Sequence, residues 1–217
     1  MGATKIMVIR HAEKPGLYGG KTYYGVDECG TVSGAAGGKH LVTLGWERAG
    51  ALITLFAPPN GPKPPLATPQ FLFASDPDDK AGDDAGDEGP SQRPYETLIA
   101  LKSKLNLPFI NHKHQKSDIT GLVTEALACD GVVLIAWQHE LIPLKAKTKT
   151  GQGISLEILT QTKTTGKFNV PATWPATPEG VARYDLVFVF DRPSGSGPIT
   201  GFTLVPQQLL AGDLPDV

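Results

Sequence analysis

The chain has 217 residues, with 20 Lys and Arg against 22 Asp and Glu and a formal net charge of −2, which predicts one decorated domain able to bury roughly 70% of its unfolded surface. That balance offers no basic field for nucleic acid, and the apolar runs, such as Val132–Trp137, are too short to span a bilayer. No secretory leader or myristoylation pattern is read at the start of the chain, and Cys29 and Cys129 form neither a CxxC pair nor a disulfide framework, so a cytoplasmic location is expected.

With 25 Gly and 19 Pro, much of the chain must be loop. Lys5–Arg10 reads as a buried strand. The Gly- and Tyr-rich stretch 14–39 reads as a loop insertion. Apolar residues at 41, 44, 49, 52, 53 and 56 recur at helical spacing, with Thr43 as the expected cap and Pro58-Pro59 as the stop. Gln70–Ala74 is a second strand. Insertion 76–92 follows, with seven acids between Asp76 and Glu88 against Lys80 alone. It reads as a solvated loop, because the acids lack EF-hand spacing.

A helix is expected over Pro94–Leu105, a strand over Leu107–Ile110 and a helix over Ser117–Cys129. Gly131–Trp137 is the strongest strand, apolar throughout as in a sheet covered on both faces. A helix is expected to start at Leu141 and run to Lys147. Insertion 148–180 resists assignment. Arg183–Phe190 reads as a strand that pairs as a hairpin with Phe202–Val205, an apolar edge to which another chain could add. Alternating strands and helices predict a single α/β domain over 1–217: a three-layer α/β/α sandwich on a mostly parallel sheet, with an antiparallel edge strand.

In such sheets the site lies beyond the carboxyl ends of the strands. Two strands end alike there, one in Arg10-His11-Ala12-Glu13 and the other in Gln138-His139-Glu140, while Arg93 stands just before a helix. Arg presents a planar fork that matches phosphate oxygens. Neutral His is a nucleophile towards phosphorus, and a carboxylic acid can protonate a departing alkoxide. The set suffices for phosphoryl transfer with no metal or other cofactor. His112 and His114, two residues apart without a third ligand, make a weak metal pair and read as part of a loop. Lys145, Lys147, Lys149, Lys163 and Lys167 read as a solvated face or an anion-attracting patch.

Arg10-His11-Ala12-Glu13 resembles the Arg-His-Gly-Glu motif of the histidine phosphatase superfamily, also called phosphoglycerate mutase-like, with Ala12 where Gly is usual. Leu44–Ala49 is similar to that family's first helix, Ser91–Thr97 to the segment with its second phosphate-binding Arg, and Leu134–Glu140 to the strand ending in its second His. The resemblance spans about residues 4–143 and more loosely Trp174–Phe188. It implies that His11 is the nucleophile forming a phosphohistidine, that Arg10, Arg93 and His139 bind the phosphoryl oxygens, and that Glu13 orients its neighbours. It implies Glu140 as proton donor, with Asp118 as the alternative; the donor Glu of the mutase branch has no counterpart. The expectation is a metal-independent phosphatase for a small phosphomonoester or a phosphoprotein. The alternatives are a phosphomutase or phosphotransferase and a catalytically weak phospho-ligand binder.

Overall fold

A computed structural model describes residues 2–18, 21–33, 38–78, 91–146 and 151–216. Thirteen short elements occur among them: strands β1 (Lys5–Arg10), β2 (Gly16–Tyr18) and β3 (Lys21–Tyr23), helix α1 (Thr43–Phe56), β4 (Phe71–Ser75), α2 (Arg93–Lys104), β5 (Asn111–His114), α3 (Ile119–Ala128), β6 (Val132–Trp137), a 3-10 turn (His139–Leu141), α4 (Ile154–Gln161), β7 (Leu186–Asp191) and β8 (Gly201–Pro206). Six strands form one sheet in the order β5-β4-β6-β1-β7-β8, and β2 and β3 form a separate hairpin. The pairings β5-β4, β4-β6 and β6-β1 are parallel, while β7 is antiparallel to both β1 and β8.

The two apolar faces of these strands explain the layers. Ile6, Val8, Ile135 and Phe188 point to one side, against Leu122 and Val123 of α3 and Ile154 and Ile158 of α4. Met7, Ile9, Leu134 and Val187 point to the other, against Leu52 and Phe56 of α1 and Leu98 and Leu101 of α2. Strands covered on both faces lose their polar alternation, and β6 and β7 are accordingly apolar nearly throughout.

Several local expectations are corrected. The strand that runs against the others is β7, second from the edge. Edge strand β8 points the same way as β1. The strand expected at 107–110 forms at 111–114, because Pro108 has no N–H to give a ladder. The helix expected from Leu141 is only the 3-10 turn. Beyond it, the Leu144 and Lys145 amides donate to the Pro171 and Ala172 carbonyls. Insertion 148–180 contains α4, and insertion 14–39 contains the β2-β3 hairpin. Val42, not Thr43, caps α1, without a side-chain bond. Most of the acidic stretch lies outside the described residues, as do Lys147 and Lys149. Among the described residues no helix is long and apolar enough to cross a membrane.

Candidate active site

The parallel register of β1 and β6 aligns the two similar strand endings. Arg10 pairs with Trp137, and the His11 N–H donates to the Trp137 carbonyl at 2.9 Å. His11 and the Gln138-His139-Glu140 turn therefore leave the sheet side by side. From the opposite flank, α2 brings Arg93 at its first residue.

Thr97 locks these parts together. The Ala12 N–H donates to Thr97 Oγ1 at 2.9 Å, and the Thr97 hydroxyl donates to the Arg93 carbonyl at 2.7 Å. One hydroxyl thus ties the loop after β1 to the first turn of α2. Helix α1 closes in from the same side. The Val42 N–H donates to the Glu13 carbonyl, and a Cβ added at Gly45 would lie 2.7 Å from that oxygen. Glycine is required there by close approach rather than by backbone angle.

His11 is only 3% exposed. Its Nδ1 lies 2.7 Å from the Ala12 carbonyl oxygen. A carbonyl can only accept, so Nδ1 carries the proton and Nε2 keeps its lone pair. Burial first, then the positive charges of Arg93 and Arg10, hold the imidazole well below its ordinary value. Nε2 is therefore unprotonated at neutral pH. Arg93, Arg10 and His139 are near enough for their charges to bear on this imidazole.

Arg10 is buried, donates to the Ala182 and Arg183 carbonyls, and stacks its guanidinium 3.5 Å above the ring of Tyr184. Tyr184 also packs against His11, with ring centroids 6.2 Å apart. Arg93 is buried and donates to the Gly38 carbonyl at 2.9 Å. His139 Nδ1 lies 2.9 Å from Glu140 Oε2. Burial is the largest influence on His139 and lowers its affinity for a proton, the Glu140 carboxylate notwithstanding. Burial also works against the Glu140 charge, but His139 and Arg10 outweigh it and hold this carboxyl at about 2. Glu140 is thus ionised at neutral pH.

Glu13 is committed to an ion pair with Arg48. Its Oε1 accepts from Arg48 Nε and Nη2 at 2.9 and 2.8 Å, and Arg48 also donates to Asp213 and Gln207. Burial opposes the charge of Arg48, yet the bonds to Asp213 and Glu13 raise its affinity for the proton further. Asp118, the alternative donor, caps α3 through the Gly121 N–H and pairs with His114 Nδ1 at 2.8 Å. Its carboxyl group is thereby committed to structure.

His112 and His114 are kept apart by an extra residue in the β5 register against β4. His112 packs on Tyr95 of α2, and His114 lies between Asp118 and Glu125 of α3. Among the described residues no group of three His, Cys, Asp or Glu side chains could hold a metal. Ser91 Oγ and Gln138 Oε1 are buried and lack a hydrogen-bond partner among the described residues.

Sequence reading anticipated Arg10, His11, Arg93, His139 and Glu140, and they stand together here. It gave no site role to Tyr184, which it placed in a strand and in the looser tail of the resemblance, nor to Thr97 as a tie. A Tyr just ahead of a strong strand gave no signal, since its partners Arg10 and His11 are more than 170 positions away. No protein-family model matches the chain, and no curated protein sequence matches it significantly.

Proposed function

We propose that the chain is a divergent histidine phosphatase with the phosphoglycerate mutase-like fold, and that it hydrolyses a phosphomonoester through a phosphohistidine on His11. The observation that carries the reading is His11 itself: buried, with Nδ1–H committed to a carbonyl and Nε2 unprotonated among Arg10, Arg93 and His139. This is the state a nitrogen nucleophile needs at neutral pH.

In the first step Nε2 attacks phosphorus, the N–P bond forms and the P–O bond to the organic group breaks. The departing oxygen takes a proton from Glu140. Arg10 and Arg93 hold the equatorial oxygens, whose charge is spread in a loose transition state. In the second step water attacks phosphorus, gives its proton to Glu140 and releases phosphate from Nε2. Glu140 is ionised at neutral pH before substrate binds, so its proton arrives with the substrate. A phosphomonoester has its second pKa near 6 and carries that proton as the monoanion.

A second reading rests on the same carboxyl. A Glu held at about 2 is a poor acid donor at neutral pH, which favours a phospho-ligand binder. Phosphate release from an aryl phosphate, measured with EDTA present, separates the two. Hydrolysis predicts turnover that survives EDTA and disappears in His11→Ala. Binding alone predicts calorimetric phosphate affinity without turnover from pH 4 to 9. Transfer of the phosphoryl group to an added alcohol in place of water would indicate the phosphotransferase alternative.

A further inference from the structure

The antiparallel register of β7 against β1 pairs Val187 with Ile9, so the residues that lead into β7 arrive beside Arg10 and His11. Three of them in a row hold the Arg10 guanidinium. Its Nη1 donates to the Ala182 carbonyl and, at 3.2 Å, to the Arg183 carbonyl. Its central carbon lies 3.5 Å above the middle of the Tyr184 ring. The two hydrogen bonds fix one corner of the guanidinium, and the ring fixes its plane. The Tyr184 hydroxyl accepts from the Lys14 N–H at 3.5 Å, so ring and hydroxyl meet different partners.

This platform is anchored from behind. Arg183 and Asp185 are both buried and share two hydrogen bonds, Nε to Oδ1 at 2.8 Å and Nη2 to Oδ2 at 2.6 Å. Arg183 also donates to the Leu214 and Asp216 carbonyls, and Asp185 Oδ2 accepts the Leu214 N–H at 2.9 Å. The Arg183 carbonyl accepts from Trp174 Nε1 at 2.8 Å, and the Asp185 carbonyl accepts from the Gln207 N–H at 2.7 Å. Tyr184 therefore sits between two residues that shift only by breaking buried, charge-assisted bonds. A long side chain stacked on so rigid a surface loses less rotamer freedom when it grips an anion.

We propose that Tyr184 is a positioning residue, whose ring face holds the Arg10 guanidinium in the plane from which it binds the phosphoryl oxygens. The assignment rests on Arg10 being a phosphate ligand, as in the phosphatase reading. Tyr184 acts through Arg10 and takes no part in bond making. Its aromatic face matters and its hydroxyl does not.

The test measures calorimetric binding of inorganic phosphate and hydrolysis of phenyl phosphate in wild type, Tyr184→Phe, Tyr184→Leu and Tyr184→Met. Tyr184 is half-buried, and melting curves show which variants fold. Leu and Met remove the ring in two shapes, so either one, once folded, decides the matter. The expected result is a phosphate Kd and a phenyl phosphate KM both raised about three- to tenfold in Leu and Met, the range of one cation–π contact. The kcat stays within about twofold, because Arg10 grips the same oxygens in ester and transition state. Tyr184→Phe stays within about twofold of wild type throughout. An unchanged Kd in folded Leu or Met variants, or an equal loss in Phe, overturns the positioning role and leaves the phosphatase reading in place. Phosphate binding without turnover in wild type overturns the phosphatase reading alone, and the Kd series still decides the role of Tyr184. Wild type that neither binds phosphate nor turns over the ester overturns both.

Discussion

Replacing Arg48 by Met tests how the His11 loop is held. The guanidinium is 4% exposed and makes two hydrogen bonds to Glu13, two to Asp213 and one to Gln207. Methionine fills similar volume, so the main change is electrostatic. Asp213 keeps the Leu209 and Leu210 N–H donors after the substitution. Glu13 keeps none: Oε1 loses both its bonds, and Oε2 has no partner among the described residues to begin with. A buried charge stripped of its partner costs about 3–5 kcal/mol, a large share of a total stability of about 5–15 kcal/mol. Urea unfolding should show that loss with an unchanged m-value. Adding Glu13→Gln to Arg48→Met should recover about 1–2 kcal/mol, because a neutral amide is cheaper to bury than a carboxylate. A loss below about 1 kcal/mol, or no recovery in the double variant, would refute the claim that Glu13 depends on Arg48.

Gly45→Ala places a methyl 2.7 Å from the Glu13 carbonyl; it should cost about 1–3 kcal/mol by overpacking and lower kcat for the aryl phosphate, and an unchanged melting temperature would contradict that close approach. Thr97→Val keeps shape but orphans the Ala12 N–H; a loss of about 1–3 kcal/mol in urea unfolding is expected, with kcat falling more than KM rises. His11→Asn reports on proton affinity through stability. The folded His11 lies below its unfolded value of 6.5, so above that pH both states are neutral and the group contributes nothing. Below it the unfolded chain binds a proton that the folded one refuses, and wild type loses stability. The variant should therefore gain on wild type steadily from pH 6.5 to 5.5, before carboxylates titrate, and a pH-independent difference would show that His11 is not depressed.

The endings of β1 and β6 were legible because the chemistry sits in contiguous residues directly after strongly apolar strands. Arg93 was legible for a similar reason, since a Pro behind it marks the start of a helix. What local pattern could not carry was long-range. That β7 enters the sheet beside β1 depends on pairing across 180 positions, and the stacking of Arg10 on Tyr184 follows from it. Helix α4 was hidden in a Thr- and Lys-rich stretch where its buried positions mix Ile154 and Ile158 with the polar Ser155 and Glu157. Asp118 stands in the sequence as the alternative to Glu140 for the donor role. Only its cap and its bond to His114 show that it serves α3. The fold class was therefore readable, while the order within the sheet and the residues tying the site together were not.

The proposed function turns on whether His11 Nε2 carries the phosphoryl group. The most direct measurement mixes the protein with a phosphomonoester, quenches within milliseconds in alkali, where a phosphohistidine survives, and locates any covalent phosphoryl group by mass spectrometry. The account predicts one phosphoryl group on His11 in wild type, and neither adduct nor turnover in His11→Ala. Turnover at the wild-type rate by His11→Ala, or an adduct on any other residue, would contradict it.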